Sequence, residues 1–183
     1  MKRVVKGKAW KFGDNVDRDS DLFAFQYVLE SHSGVPLEKL APHVLESLNP
    51  EFGVKVGKGD FLVAGKNFGH GKAHKEGIRC LKSLGVGGLI AESINKSFIR
   101  DALYFGLPML IGEGISAQID QGDELAVNME TGEIKNLSAG QTLKAAPAIP
   151  RGHPLFPIMQ AGGQVEYVKK KVAGLKNARS SMP

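Results

Sequence analysis

Short apolar segments alternate with helical patterns through the middle of this 183-residue chain, and this alternation restricts the possible folds more than any other feature. Residues 61–64 and 88–91 are short apolar runs typical of buried strands, and residues 107–111 are a third. Helical patterns over residues 73–84 and 95–105 lie between them, and each is followed by a glycine. Strands separated by single helices pair in parallel through right-handed crossovers. The order therefore predicts an α/β fold with a mostly parallel sheet, and we expect helices on both faces.

Strand patterns also flank this central unit. Residues 4–11 predict a first strand, and residues 124–129 and 133–137 alternate polar with apolar side chains as the strands of a hairpin do. A further turn is predicted at residues 138–140. Residues 155–173 carry a terminal helical pattern that a pair of glycines interrupts.

The length suits one domain with a proper hydrophobic core. We expect a single domain over residues 1–183, with an α/β core over residues 1–120 and a β-hairpin and C-terminal helix over residues 121–183. No run of about 18 apolar residues could cross a membrane, and the N-terminus lacks the apolar segment of a signal peptide. These absences predict a cytoplasmic protein without a membrane partner. The net charge of +5 comes from scattered lysines without interleaved aromatics, so a nucleic-acid partner is not expected.

The cysteine and histidine content argues against a metal held by this chain. Cys80 is the single cysteine, which excludes an internal disulfide and an iron–sulfur cluster bound by this chain's thiolates alone. Cys80 shares a helical pattern with Ile78 and Leu81, which favours a buried structural thiol. His70 and His74 are four residues apart, but they lack the intervening carboxylate of the zinc motif H-E-x-x-H. We therefore expect no metal ligands in this chain.

A glycine-rich turn with basic side chains joins the strand at residues 61–64 to the following helix. Free backbone N–H groups in such a turn, next to the positive end of a helix dipole, favour the binding of an anion. The glycine spacing matches neither the phosphate-binding loop nor the dinucleotide-binding motif. A tight turn with solvated lysines is therefore the alternative to an anion site. The glycines are Gly65, Gly69 and Gly71, and the basic residues are Lys72, His74 and Lys75.

Four motifs in the same order resemble those of one protein family. Residues 12–19 resemble F-G-D-N-I-D-T-D, and residues 64–69 resemble A-G-x-N-F-G. Residues 91–108 match parts of A-x-S-F-A-R-I-F-x-R-N-A-x-x-x-G-L-P, and residues 122–163 match the family's tail in kind. The chain is therefore similar over nearly its whole length to the small subunit of 3-isopropylmalate dehydratase, the swivelling domain of the aconitase superfamily.

This resemblance implies a three-layer β/β/α domain with a mostly parallel central sheet and a C-terminal β-hairpin plus helix. It implies the small subunit of a heteromeric hydro-lyase that converts 2-isopropylmalate to 3-isopropylmalate by dehydration and rehydration, in leucine biosynthesis. A large subunit would then carry the [4Fe-4S] cluster, and this chain would bind no cofactor. The substrate would be a small 2-hydroxy di- or tricarboxylic acid, altered from that of the family where the site differs.

The glycine-rich turn departs from the family pattern N-F-G-C-G-S-S-R-E-H. The resemblance implies that the first serine of this pattern moves the substrate proton, and that the second serine and the arginine hold carboxylates. Lys72, Ala73 and His74 occupy these three positions here, and His70 replaces the cysteine. We interpret Lys72 and His74 as catalytic. The residues interpreted as substrate-binding are Asn67, Gly69, His70, Gly71, Ala73 and Lys75.

Two further interpretations stay open. The same substitutions are compatible with a non-catalytic binding or regulatory module derived from the swivelling domain. The resemblance also places residues 27–50 where such enzymes contact the variable arm of the substrate. The apolar side chains of this segment fit either an aliphatic group or the protein core, and they are Val28, Leu29, Val35, Leu37 and Leu40.

Overall fold

The computed structural model describes residues 4–180, with side chains described as far as residue 175. The strands in this range are β1 (Val5–Lys11), β2 (Phe61–Ala64), β3 (Gly88–Ala91), β4 (Met109–Ile111), β5 (Glu124–Asn128), β6 (Glu133–Asn136), β7 (Gln141–Lys144) and β8 (Ala146–Pro147). The α-helices are α1 (Phe25–His32), α2 (Leu37–Leu40), α3 (Phe52–Lys55), α4 (Glu76–Ser83), α5 (Lys96–Phe105), α6 (Phe156–Ala161) and α7 (Gln164–Ser180). None of the helices within residues 4–180 has both the length and the apolar composition that a membrane span requires.

The elements predicted from sequence are largely confirmed. Strands β2 and β3 have the predicted bounds, and the terminal helical pattern divides into α6 and α7 at Gly162. Helix α5 begins after Asn95, whose side chain accepts a hydrogen bond from the backbone N–H of Ser97 at 2.9 Å. It ends at Gly106 in the left-handed conformation. Local capping chemistry therefore sets both ends of this helix.

The sheet has the strand order β7-β6-β5-β1-β2-β3-β4-β8. Strands β1 to β4 are parallel neighbours in chain order, whereas β5, β6, β7 and β8 pair antiparallel. Successive right-handed crossovers that advance in one direction leave every helix on the same face of a sheet. The expectation of helices on both faces is wrong for this reason, and the three-layer β/β/α arrangement is confirmed.

The other face of the sheet is covered by the sheet itself. Strands β7 and β8 lie at opposite ends of the strand order, yet only Ala145 separates them in the chain. The two ends of the sheet must therefore curl towards each other around a common interior. Gly132, in the turn before β6, has a φ of 78° and packs against the carbonyl oxygen of Ala145, which leaves no room for a side chain.

Two hydrophobic clusters fill the layers of the domain. Alternate side chains of β2 belong to different clusters, since Leu62 and Ala64 face the helices and Phe61 and Val63 face the curled sheet. The helix-side cluster contains Cys80, which is fully buried and is not in a disulfide. The structural role predicted for this thiol agrees with its surroundings.

Burial raises the pKa of the Cys80 thiol to about 12 from its ordinary value of 9.0. Because the unfolded chain loses this proton first, the stabilising contribution of the buried thiol is present below pH 9 and is lost as the pH rises through the interval from 9 to 12. The wild type should therefore lose about 2 kcal/mol relative to Cys80→Ala between pH 8 and about pH 10.5. Chemical denaturation of both proteins under reducing conditions measures this difference. An equal difference at the two pH values would contradict the assignment.

Candidate functional site

The glycine-rich turn lies at the carboxyl ends of the parallel strands, where open α/β sheets place their ligands. We call this turn, which follows β2, the site loop (residues 65–75). It contacts the segment after β1, which we call the acidic turn (residues 13–19). Four backbone hydrogen bonds join the two segments. They run from Gly65 to Gly13, from Asn15 to Lys66, from Gly69 to Val16 and from Arg18 to His70, at 2.7–3.1 Å.

Two asparagines hold unusual backbone conformations where these segments meet. Asn15 and Asn67 have φ values of 56° and 58°, in the left-handed region that few residues other than glycine enter. The side-chain amide of Asn67 donates to that of Asn15 at 3.0 Å, and the Asn67 backbone N–H donates to Ser93 Oγ at 2.7 Å. Asparagine enters this region more readily than other non-glycine residues, and these hydrogen bonds fix the two turns against each other.

Both glycines predicted to bind substrate are required by close contacts. Gly69 has a φ of 76°, and a Cβ there would lie 2.5 Å from the ring of Phe98. Gly71 has a φ of 86°, and a Cβ there would overlap the Asp17 carboxylate. The tight-turn interpretation of these glycines is therefore supported. The absence of a side chain at Gly71 also lets the Asp17 carboxylate approach the loop closely.

The two histidines of the site loop each face an aspartate of the acidic turn. His70 Nδ1 lies 3.3 Å from Asp17 Oδ2, and His70 Nε2 donates to the carbonyl oxygen of Asn15 at 2.8 Å. His74 Nε2 lies 3.4 Å from Asp19 Oδ1. The Asp19 carboxylate also accepts the backbone N–H of Lys72 at 3.2 Å. The site loop is therefore less cationic than its sequence suggests, because the acidic turn partly neutralises it.

The helix after the site loop begins three residues later than predicted. Helix α4 starts at Glu76, so Lys72, Ala73 and His74 lie in an irregular loop and not in its first turn. Burial opposes ionisation of Glu76. Hydrogen bonds from its own backbone N–H, from His32 and from the Lys75 N–H outweigh burial and hold the pKa of this carboxyl below its usual range. A carboxylate of the chain itself therefore occupies the helix N-terminus that the sequence predicted to be open to an anion.

The two lysines of the loop that lie nearest the helix differ in their surroundings. Lys75 is exposed and holds its ammonium 5.6 Å from the centre of the Tyr104 ring. Lys72 is exposed, and its ammonium has no ion-pair or hydrogen-bond partner among the described residues. Ala73, between Lys72 and His74, is also exposed. Of these two lysines, Lys72 is therefore the one whose ammonium is free to meet an anionic group from outside the chain. Lys66, at the start of the loop, is also exposed, and its ammonium has no such partner among the described residues.

Sequence reasoning missed the ion pair beneath the loop. Arg18, on the acidic turn, donates from Nη2 to Asp101 Oδ2 at 2.8 Å, and both side chains are buried. The same nitrogen donates to the backbone carbonyl of His74 at 2.7 Å. The sequence did contain a signal for this ion pair. Arg18 replaces the threonine of the motif F-G-D-N-I-D-T-D, and Asp101 replaces the asparagine that follows the second arginine of the motif A-x-S-F-A-R-I-F-x-R-N-A. Two departures of opposite charge predict a contact.

The segment from residue 27 to 50 contributes mostly to the core. Val28 and Leu40 are buried, and Val35 and Leu37 pack partly buried against the same cluster. Leu29 is 52% exposed on the outer side of α1. The structure thus favours the core interpretation for four of the five apolar residues. Phe25, at the start of α1, is half exposed, and its ring centre lies 5.4 Å from that of His74.

The site loop is open to the outside. A cleft of about 320 Å³ between α5 and α6 reaches this loop only at Lys75, and Arg100 and Tyr104 line its wall. A larger groove of about 510 Å³ lies at the opposite, amino end of the parallel strands, where Asp60 accepts hydrogen bonds from Lys8 and Trp10. An enclosed substrate site at the loop would need a surface supplied by a second chain.

Comparison with known proteins identifies relatives over the whole length. The chain is 43% identical over 173 residues to the isopropylmalate/citramalate isomerase small subunit of Methanocaldococcus jannaschii, covering 94% of this chain and 98% of the relative. It is 37% identical over 172 residues to the methanogen homoaconitase small subunit of Methanothermobacter thermautotrophicus, covering 94% and 95%. No protein-family model matches the chain.

A solved structure agrees with these relatives. The crystal structure of 3-isopropylmalate dehydratase (LeuD) from Methanocaldococcus jannaschii matches with a TM-score of 0.84 at 31% identity, over 96% of this chain and 99% of that one. The fold and the open loop at the carboxyl edge therefore define an α/β swivelling domain. Sequence identity at this level, over more than nine-tenths of the chain, shows the family as well as the fold. The chain belongs to the family of 3-isopropylmalate dehydratase small subunits.

Proposed function

We propose that this chain is the small subunit of a heteromeric hydro-lyase that isomerises 2-isopropylmalate to 3-isopropylmalate by dehydration and rehydration, in leucine biosynthesis. The observation that carries the proposal is the match over 91–94% of this chain with chains that are themselves named small subunits. The exposed site loop at the carboxyl ends of β1 and β2 supports it, because this loop can form one wall of a site between two subunits.

A large subunit is a necessary part of this proposal. A cluster of the [4Fe-4S] type needs several thiolates, and the residues of this chain do not fit it. The single cysteine is buried in the core with its thiol pKa raised to about 12. Among residues 4–180 no group of three histidine, cysteine or acidic side chains is placed to hold a metal ion. We therefore assign the cluster to the large subunit.

Within the site loop the structure favours different roles for the two proposed catalytic residues. Lys72 is exposed and unpaired among the described residues, so its ammonium can hold a substrate carboxylate or, as the neutral amine, carry a proton. The His74 ring lies beside the Asp19 carboxylate and the Phe25 ring, and its Nε2 has no hydrogen-bond partner among the described residues. The proposed substrate-binding residues then supply backbone groups and secondary contacts around these two. They are Asn67, Gly69, His70, Gly71, Ala73 and Lys75.

The substrate class follows from the shared chemistry of the relatives' names. These names cover an isopropylmalate/citramalate isomerase and a homoaconitase, and the substrates of such enzymes are hydroxy acids with at least two carboxylates. A free lysine in the site loop suits a carboxylate of any of them. We propose 2-isopropylmalate as the first substrate to test, and citramalate and homocitrate as alternatives.

Reconstitution with the matching large subunit tests the function. The complex should interconvert 2- and 3-isopropylmalate, and each separated subunit should show no turnover. Activity on citramalate or homocitrate alone would correct the substrate and leave the reaction class intact. A stable complex with no activity on any of the three acids would overturn the enzyme proposal in favour of a non-catalytic binding or regulatory module. Turnover by this chain alone would overturn the requirement for a partner.

A further inference from the structure

Arg18 joins three parts of the molecule from a fully buried position. Its backbone N–H donates to the His70 carbonyl at 2.9 Å, and its Nη2 donates both to Asp101 on α5 and to the carbonyl of His74. The guanidinium also lies 5.5 Å from the centre of the Phe98 ring, below Gly69. This one side chain therefore links the acidic turn, the site loop and helix α5, in addition to the packing of Gly69 against Phe98.

Stability alone does not account for this arrangement. A buried ion pair often contributes no more than apolar residues of similar volume, because removing two charges from water offsets their attraction. Here Arg18 Nε and Nη1 are buried without any hydrogen-bond acceptor among the described residues. Each unsatisfied buried polar atom costs folding free energy and calls for an explanation.

The remaining unsatisfied atoms lie at the same place. Asp19 Oδ1 and His74 Nε2 are buried and face each other at 3.4 Å without hydrogen-bond geometry. Within the part of the chain that the structure describes, the buried side-chain nitrogens and oxygens without hydrogen-bond partners thus belong to Arg18, Asp19 and His74. Concentration of unfavourable polar burial at one point under a loop is typical of a functional constraint and not of a defect in the core.

The contacts show what the constraint acts on. Arg18 holds the backbone of His74 from below, and the neighbouring Asp19 holds the backbone N–H of Lys72 and faces the His74 ring. The two residues that we propose as catalytic are thereby positioned by two consecutive residues of the acidic turn. Asp101 neutralises and orients the guanidinium from the opposite side, where its second oxygen lies 3.7 Å from Arg100 Nε.

We propose that Arg18 and Asp101 form a positioning pair, which sets the place of Lys72 and His74 in the site loop without touching the substrate. The effect of this pair on turnover rests on the proposed function. The effect of the pair on the position of the site loop does not rest on it and can be measured in the isolated chain.

The first experiment measures loop position in the isolated small subunit. In the double variant Arg18→Thr/Asp101→Asn, which takes the two residues of the family motifs, no buried charge is left unpaired. We expect the ¹H–¹⁵N amide signals of residues 72–75 and the imidazole signals of His74 to shift or broaden, while signals from β5 to β7 stay in place. Loop signals identical to those of the wild type would overturn the proposal. If this variant does not fold, Arg18→Lys/Asp101→Glu keeps both charges, moves the pair relative to the His74 carbonyl, and should give the same loop changes.

The second experiment measures the consequence for turnover in the reconstituted complex. A displacement of about 1 Å in a catalytic group can cost about 100-fold in rate, so kcat of the double variant should fall by about that factor with a smaller change in KM. A matched control is Arg151→Thr/Glu130→Asn, which removes a 3.0 Å arginine–carboxylate pair far from the loop and should leave kcat unchanged. If the double variant has altered loop signals but the kcat of the wild type, the claim that the pair positions residues for catalysis is overturned. An inactive wild-type complex would count against the proposed function, and the loop signals would still decide the positioning role.

Discussion

Replacing Asp101 by alanine is expected to destabilise the isolated chain by about 3–5 kcal/mol, since the Arg18 guanidinium then stays buried without its counter-charge. Both side chains are almost inaccessible to solvent, with 0% of Arg18 and 5% of Asp101 exposed, so water cannot take over the lost contact. Denaturation by urea at neutral pH, with the free energy of unfolding extrapolated to water, measures the loss.

Two comparisons make this stability prediction specific. The double variant Arg18→Thr/Asp101→Asn should recover most of the loss, because it removes the unpaired charge together with its partner. Glu130→Ala breaks the pair with Arg151, whose side chain is 75% exposed, and should cost no more than about 1 kcal/mol. A loss below about 1 kcal/mol for Asp101→Ala would mean that the guanidinium reaches solvent or another acceptor, contrary to the geometry described above.

Replacing Lys72 by alanine is expected to lower kcat/KM of the reconstituted complex by at least about 100-fold, since general acid–base and charge-stabilising groups contribute on this scale. If Lys72 carries the substrate proton, the substitution lowers kcat and also changes the dependence of kcat on pH. If Lys72 holds a carboxylate, KM rises and kcat changes less. Steady-state kinetics over a range of pH distinguishes the two roles.

The control for this experiment is a lysine with similar exposure and no proposed role. Lys144 is exposed on β7, at the end of the sheet, and Lys144→Ala should leave both kinetic constants unchanged. Wild-type kinetics for Lys72→Ala would show that its ammonium stays in solvent in the complex. The proposal that the site loop performs catalysis would then have to rest on His74 alone.

The strands and helices of the core were predictable because their causes are local. Four-residue apolar runs predicted β2 and β3, and Asn95 and Gly106 marked the ends of α5. Helix α4 was the exception. Its predicted first turn is held in a loop by Asp19 and Arg18, which are more than 50 residues away in the chain, and no local pattern reports such contacts.

The layer arrangement was only half predictable. Alternation of strands and helices determined the parallel pairing of β1 to β4, but the face on which the helices lie depends on the order of the strands in the sheet. That order, and the closure of the sheet through Ala145, arises from packing of the whole chain. A sequence pattern with a period of two or 3.6 residues carries no information about it.

For the functional site, the sequence by itself determined the family, the place of the site loop after β2 and the identity of its basic residues. Only the tertiary structure showed that Asp17 and Asp19 lie beside the two histidines. It also showed that Lys66 and Lys72 are exposed and that neither ammonium has a partner among the described residues, whereas Lys75 lies over the Tyr104 ring. The reason is electrostatic. The charge of a site is the sum over every group within a few ångströms, and the acidic turn lies about 50 residues before the loop in the chain yet next to it in space.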